Sequence, residues 1–292
     1  MTALPGFDEE RRSAGEASYH VSRAGTGAPV LLLHGFPETH ACWHRVAPQL
    51  ARSHRVIAPD LRGYGDSEAP AGGPLGEGYT KREMAAELVE LMRGLGHERF
   101  AVVGHDRGAR VAYRLALDHP EHVRCAALLN VVPTIDQFER MGSGPSLGYW
   151  TWYLLAQPAP FPERVLLADP RAVLDHVFAT WTSEPDAIGP AQREAYLRAL
   201  TSSTAAAMCA DFRASFHLDR EHEAEDRAAG RRIACPVLLV TGREESQLAD
   251  APEVWRAWAD DLTAAQVPGG HFNPEEAPGE VSDLLARFLE AS

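Results

Sequence analysis

The sequence predicts an α/β fold: a mostly parallel sheet with helices on both faces and an inserted helical cap. Three observations carry that reading. Short apolar runs alternate with helical stretches along most of the chain, as a parallel sheet covered on both sides requires. One such run, Val102-Val-Gly-His105, stops at Asp106 within Gly104-x-Asp106-x-Gly108 and opens directly into a helix, a sharp strand-to-helix turn. Between residues 131 and 222 the alternation ceases, and helical stretches separated by Pro-rich breaks replace it.

The elements follow in order. Pro29-Val-Leu-Leu-Leu33 is a buried strand ending at His34-Gly35, and Arg55-Val-Ile-Ala-Pro59 is the next, followed by the turn-rich loop Asp60 to Asp66. Met84, Leu88, Leu91 and Met92 recur at helical spacing within Lys81 to Arg93. Phe100 to Val103 leads into the turn at Asp106, and Arg107 to Asp118 is the helix beyond it. Arg124 to Leu129 and Val237 to Val240 are further strands. Val267-Pro-Gly-Gly-His271 closes the pattern, with a last helix over Glu280 to Leu289. Residues 1–130 and 223–292 then form the core domain and residues 131–222 the cap. About half of the chain's aromatic residues fall in that cap, including Trp150, Trp152 and Trp181. An aromatic cap excludes water and shapes a pocket.

Composition narrows the partners. At 292 residues the chain is long enough for one large α/β domain with an insertion. A net charge of −13 disfavours nucleic acid and anionic membranes, leaving a small molecule as the expected partner. The N-terminal stretch lacks the apolar core of a signal peptide and no segment is apolar enough to span a bilayer, so a cytoplasmic protein is expected. Four cysteines at 42, 125, 209 and 235 lie far apart and read as reduced thiols rather than a metal site or disulfide framework.

The turn at Asp106 carries the chemistry. Gly-x-Ser-x-Gly in this setting is the nucleophile elbow of α/β-hydrolases, and here aspartate stands in the serine position. A carboxylate suits displacement of a leaving group from saturated carbon, leaving an aspartyl ester. That points to dehalogenation or epoxide opening rather than ordinary ester hydrolysis. His271, in a Gly-Gly-His-Phe turn after the last strand, occupies the position of the base that activates water against such an ester. His34-Gly35-Phe36-Pro37 follows a buried strand, and its turn can aim the Phe36 N–H at the site, with the Arg107 N–H as second oxyanion donor. Arg107 and Arg110, one and four residues past the nucleophile, can clamp a substrate carboxylate. No step calls for a cofactor or a metal.

Four segments together resemble the haloacetate (fluoroacetate) dehalogenases, relatives of the epoxide hydrolases within the α/β-hydrolase family. They are His-Gly-Phe-Pro-Glu-Thr-His at 34–40, His-Asp-Arg-Gly-Ala-Arg at 105–110, Leu-Ala-Gln-Pro-Ala-Pro at 155–160 and Gly-His-Phe-Asn-Pro-Glu-Glu-Ala-Pro at 270–278. The similarity spans nearly the whole chain. It implies the α/β-hydrolase fold, Asp106 as nucleophile, His271 as base, Arg107 with Arg110 as carboxylate clamp, and a homodimer, since such enzymes often pair.

Three positions depart from the pattern. Asn130 stands where these enzymes carry the acid that supports the histidine, and an amide cannot stabilise an imidazolium as a carboxylate does. The acid is then expected from Thr241-Gly242-Arg243-Glu244-Glu245 after the following strand, with Glu245 favoured over Glu244 by its spacing from the glycine. In the leaving-group pocket the resemblance keeps Trp152 but replaces a histidine by Thr151 and a tyrosine by Phe212. Fluoride needs strong donors to depart, and losing one at such a site commonly costs on the order of a hundredfold in rate, so chloride or bromide is the expected leaving group. An epoxide hydrolase is the alternative, with Tyr149 or Tyr153 in the region of the cap acid it requires. A third reading, a binding protein on a decayed hydrolase fold, draws on Asn130 and is opposed by Asp106 and His271.

Overall fold

The computed structural model describes residues 4–142, 147–184 and 186–292. Eight strands form one sheet in the order β1-β2-β4-β3-β5-β6-β7-β8. They are β1 (Asp8–Ala14), β2 (Ala17–Ala24), β3 (Ala28–Leu33), β4 (His54–Pro59), β5 (Phe100–His105), β6 (Val123–Leu129), β7 (Val237–Gly242) and β8 (Leu262–Val267). β1–β2 and β2–β4 pair antiparallel; every pairing from β4 through β3, β5, β6 and β7 to β8 is parallel.

The central strands are apolar because both faces are covered. Val30 to Leu33 and Phe100 to Val103 have no exposed surface, which is why these segments read as continuous apolar runs. Two features escape such a reading. β1 is Asp-Glu-Glu-Arg-Arg-Ser-Ala at the sheet edge, exposed along nearly its whole length, so it carries no apolar signal. β8 begins at Leu262, ahead of the apolar signal at Val267, because Leu-Thr-Ala-Ala-Gln is half-exposed at the other edge.

Helices α1 (Ala47–Leu50), α2 (Lys81–Gly94) and α3 (Arg107–Asp118) follow β3, β4 and β5. A helical block then runs from α4 (Thr134–Met141) through α5 (Trp150–Leu155), α6 (Phe161–Ala168), α7 (Pro170–Trp181), α8 (Pro190–Ala199) and α9 (Ser202–Ala214) to α10 (Arg220–Ala228), with a π-helical turn over Ser215–Asp219. α11 (Ala251–Trp255) lies between β7 and β8, and α12 (Asn273–Glu276) and α13 (Pro278–Ala291) close the chain. Among the described residues no helix is long and apolar enough to cross a membrane. The four cysteines are unpaired.

α3 lies unusually close to the sheet, and glycine permits it. A Cβ on Gly104 would come within 2.4 Å of the Gly108 carbonyl oxygen, and one on Gly108 within 2.3 Å of the Leu33 carbonyl oxygen. Both are backbone atoms that cannot swing aside. Gly108→Ala is therefore expected to destabilise the fold by about 1–3 kcal/mol through overpacking, measured by urea or thermal unfolding. An unchanged midpoint would contradict the close helix–sheet approach.

Candidate active site

Asp106 sits between β5 and α3 with φ 44° and ψ −111°, a conformation that non-glycine residues rarely adopt. The turn lifts its side chain off the sheet, while its own N–H donates to Leu129 O at 3.1 Å. Carboxylate Oδ2 accepts from the Phe36 N–H at 3.0 Å. Gly35 makes that approach possible, since a Cβ there would meet Asp106 Cβ at 2.7 Å. Burial pushes the Asp106 carboxyl upward, but His271, Arg107, His105 and the Phe36 N–H together hold it below the usual aspartate value. Arg107 takes the first helical position of α3, where a backbone N–H has no intrahelical acceptor.

His271 Nε2 lies 3.9 Å from Asp106 Oδ1, too far for a direct hydrogen bond, and has no other partner. Its Nδ1 lies 3.5 Å from Glu245 Oε2. Burial opposes the imidazolium, yet Glu245 and then Asp106 favour it, and the balance pushes His271 up to about 9. Glu244 turns away and accepts from the Gly269 N–H at 2.7 Å.

Asn130 does something other than support the imidazole. It too has positive φ, 50°, and its carboxamide joins three backbone groups. Nδ2 donates to Gly270 O at 2.9 Å and to His271 O, while Oδ1 accepts from the Gly242 N–H at 2.8 Å. An aspartate could not donate to those two carbonyls. The His271 loop is held further by His105 Nε2 donating to His271 O at 2.7 Å and by the His271 N–H donating to Trp181 O at 2.8 Å. Glu276 accepts from the Gly270 and Phe272 N–H groups, both at 2.9 Å.

The two arginines expected to act together are separated by the fold. Arg107 is buried against the helical block: Nε and Nη2 grip the Asp211 carboxylate at 2.9 and 2.7 Å, and Nη2 also donates to Ser215 Oγ. Its guanidinium lies over the Phe212 and Trp152 rings at 4.4 and 5.0 Å. Asp211 in turn accepts from Lys81 Nζ and from Tyr64 at 2.8 Å; burial raises its carboxyl, but Arg107 and Lys81 hold it far below the usual range. Arg110 instead lines the cavity above Asp106. Its Nη1 donates to Val132 O and Thr134 Oγ1 at 3.1 and 3.0 Å, its Cζ lies 4.7 Å from the Trp152 ring centre, and its buried Nε has no partner among the described residues.

That cavity measures about 450 Å³ and lies between the core and the helical block. Asp106, His271, Glu245 and Asn130 line its floor side; Tyr149, Thr151, Trp152, Trp181 and Phe212 line it from above. Thr151 is fully buried and its hydroxyl has no partner. Phe212 packs edge-on against Phe36 and Trp152, offering no donor. Tyr153 is turned elsewhere, donating to Met141 O.

A supporting layer with no role legible in the sequence lies behind these residues. His105 Nδ1 and Glu38 Oε2 are 2.9 Å apart with both side chains fully buried. Burial, then the neighbouring Glu38, pushes Glu275 well above the usual glutamate value. Glu38, His105, Glu275 and Glu276 all fall inside the motifs quoted above, so their positions were in view without their roles. Asp211, Lys81 and Tyr64 carry no local signal, because 130 residues separate Lys81 from Asp211.

Comparison with known proteins identifies the fold family. The profile of the α/β hydrolase fold family matches residues 28–278. The chain is 38% identical to a fluoroacetate dehalogenase from Burkholderia sp, over 97% of this chain and 94% of that one. It is 30% identical to a soluble epoxide hydrolase from Corynebacterium sp. (strain C12), covering 92% and 93%. A crystal structure from Nostoc sp PCC 7120 superposes with a TM-score of 0.92 at 41% identity, over 97% of this chain and 98% of that one.

Two outcomes follow for the site. Glu245→Gln removes the charge beside Nδ1, so the His271 titration is expected to fall from about 9 toward the ordinary histidine value of 6.5; imidazole NMR reads it directly, and an unmoved titration would contradict the pairing. Asp211→Asn leaves buried cations short of their counter-charge, and a loss of about 3–5 kcal/mol in unfolding free energy is expected, against little change if the Arg107–Asp211 pair carries no weight.

Proposed function

The chain belongs to the α/β-hydrolase fold family, and from that premise we propose that this hydrolase uses Asp106 as a nucleophile to displace halide from a small 2-halo carboxylic acid. The observation that carries the reading is the line of Asp106, His271 and Glu245 beneath a cavity that Arg110 also lines. Arg110 receives the substrate carboxylate, a group an epoxide lacks. Asp106 Oδ2 is occupied by the Phe36 N–H, so Oδ1 attacks carbon 2. The carbon–halogen bond breaks, halide leaves toward Trp152 and Thr151, and an aspartyl ester remains.

Ester formation also prepares the base. The Asp106 charge is one of the influences holding the His271 proton. Once that charge is lost in the ester, the imidazole gives its proton to solvent and becomes able to accept another from water. Hydroxide then attacks Asp106 Cγ, and the developing oxyanion at Oδ2 meets the Phe36 and Arg107 N–H groups. Collapse releases a 2-hydroxy acid and regenerates the carboxylate. The balance is halo acid plus water giving hydroxy acid, halide and one proton. Glu245 stabilises the imidazolium throughout, and its replacement by glutamine is expected to slow ester hydrolysis by roughly 10³–10⁴, by analogy with an amide in an acid–histidine pair.

Epoxide hydrolysis is the second reading, favoured by Tyr149 in the cavity lining, where a phenol could protonate a departing alkoxide. Intact-protein mass spectrometry of His271→Ala separates the two. Incubation with chloroacetate is expected to trap an adduct equal to the acid minus halide, and fluoroacetate to react more slowly because Phe212 donates nothing. A whole-epoxide adduct would move the assignment to the second reading. No adduct from either class would remove Asp106 as a nucleophile.

A further inference from the structure

The cavity is much larger than the simplest halo acid. A two-carbon acid occupies roughly the volume of four waters, ~120 Å³ at ~30 Å³ each, whereas the cavity measures about 450 Å³. Cavities of this size ordinarily hold larger ligands, with a few placed polar groups fixing orientation. The surplus space is bounded by α4, α5 and α7 of the helical block, through residues such as Gln137, Trp150 and Thr180, and by Gln247 of the loop after β7.

Among the described residues, two donors on that wall have no acceptor. Gln137 is only 6% exposed, and its Nε2 is buried without a partner. Trp150 Nε1 is likewise buried and unpaired, its ring packed against His176 with centroids 5.7 Å apart. An unsatisfied buried donor is costly, and two on one cavity wall suit a ligand that brings an acceptor. Neither residue is needed by the chemistry at Asp106.

We propose that Gln137 and Trp150 form a tail subsite, and that the substrate is a 2-halo acid whose chain extends beyond carbon 2 and carries a hydrogen-bond acceptor such as a carbonyl. This rests on the halo-acid reading above. Arg110 fixes the carboxylate and Asp106 the reacting carbon, so the third substituent of carbon 2 is the one that enters the surplus space. Thr180 and Gln247 supply further polar lining, so the tail is not purely aliphatic.

The test compares 2-bromopropanoate, 2-bromohexanoate and 2-bromo-5-oxohexanoate, all reacting at a secondary carbon so that intrinsic reactivity is matched. The longer acids are expected to exceed 2-bromopropanoate in kcat/KM by about tenfold or more. The ketone should exceed its alkyl counterpart by about threefold to tenfold, one hydrogen bond's worth. Gln137→Leu and Trp150→Phe are each expected to shrink the ketone-over-alkyl ratio while the alkyl-over-short ratio persists; melting curves check that both variants fold. The proposal is overturned if 2-bromopropanoate is the best of the three, or if the ketone holds no advantage, or if both variants keep it. Trapping with His271→Ala runs in parallel. Adducts from all three acids without a ketone preference remove the subsite alone, whereas no adduct from any removes the halo-acid reading and the subsite with it.

Discussion

The tight turn at Asp106 is the constraint on which the rest of the site depends. A carboxylate can be presented above the ends of parallel strands only if the chain reverses between β5 and α3 within a residue or two. That forces Asp106 to φ 44° and brings α3 against β3 and β5. Three glycines, 35, 104 and 108, make room, each at a distance where any side chain would collide with backbone or with Asp106 itself. The same turn puts the Phe36 N–H on one carboxylate oxygen and leaves the other facing His271. Strain, close packing and the direction in which the Asp106 carboxylate points thus have one origin.

Positioning of His271 follows a different principle. His271 lies on a loop after an edge strand, where a side chain would ordinarily have freedom. Here the loop backbone is tied from four directions, by Asn130, His105, Trp181 and Glu276. Almost all of those bonds go to main-chain groups of Gly270, His271 and Phe272, so they fix the loop and leave the imidazole free to exchange protons. Asn130 takes part as an amide because two of its partners are carbonyls. The carboxylate that faces the imidazole comes from Glu245 on the neighbouring loop. Support for the backbone and support for the charge are carried by separate residues.

The helical block divides the two arginines by environment. Both stack on Trp152, but Asp211 neutralises Arg107 within a network reaching Lys81 and Tyr64, while the hydrogen bonds of Arg110 go to a carbonyl and a hydroxyl, and the buried Glu223 carboxyl feels its charge without bonding it. A cation already paired with a carboxylate has little left for a substrate anion; one bonded to a carbonyl and a hydroxyl keeps its charge available. Arg107 therefore reads as a strut between α3 and α9 that also lowers the Asp106 carboxyl, and Arg110 as the cation facing the cavity.

The sequence by itself determined the sheet's central strands, the helix after the turn, the helical insertion and the positions of Asp106 and His271. Those features are legible because burial on both faces writes continuous apolar runs, and because a sharp strand-to-helix turn demands glycines at fixed spacing. Spacing from Gly242 also singled out Glu245. Tertiary structure alone decided that Glu244 turns to Gly269, that Asn130 bonds backbone instead of imidazole, and that Arg107 is consumed by Asp211. It also decided the polar edge strand β1, which no apolar pattern announces. In each case the physical reason is the same. A side chain's role depends on which acceptor or donor the fold brings within about 3 Å, and for Arg107 that partner lies 104 residues away in the chain.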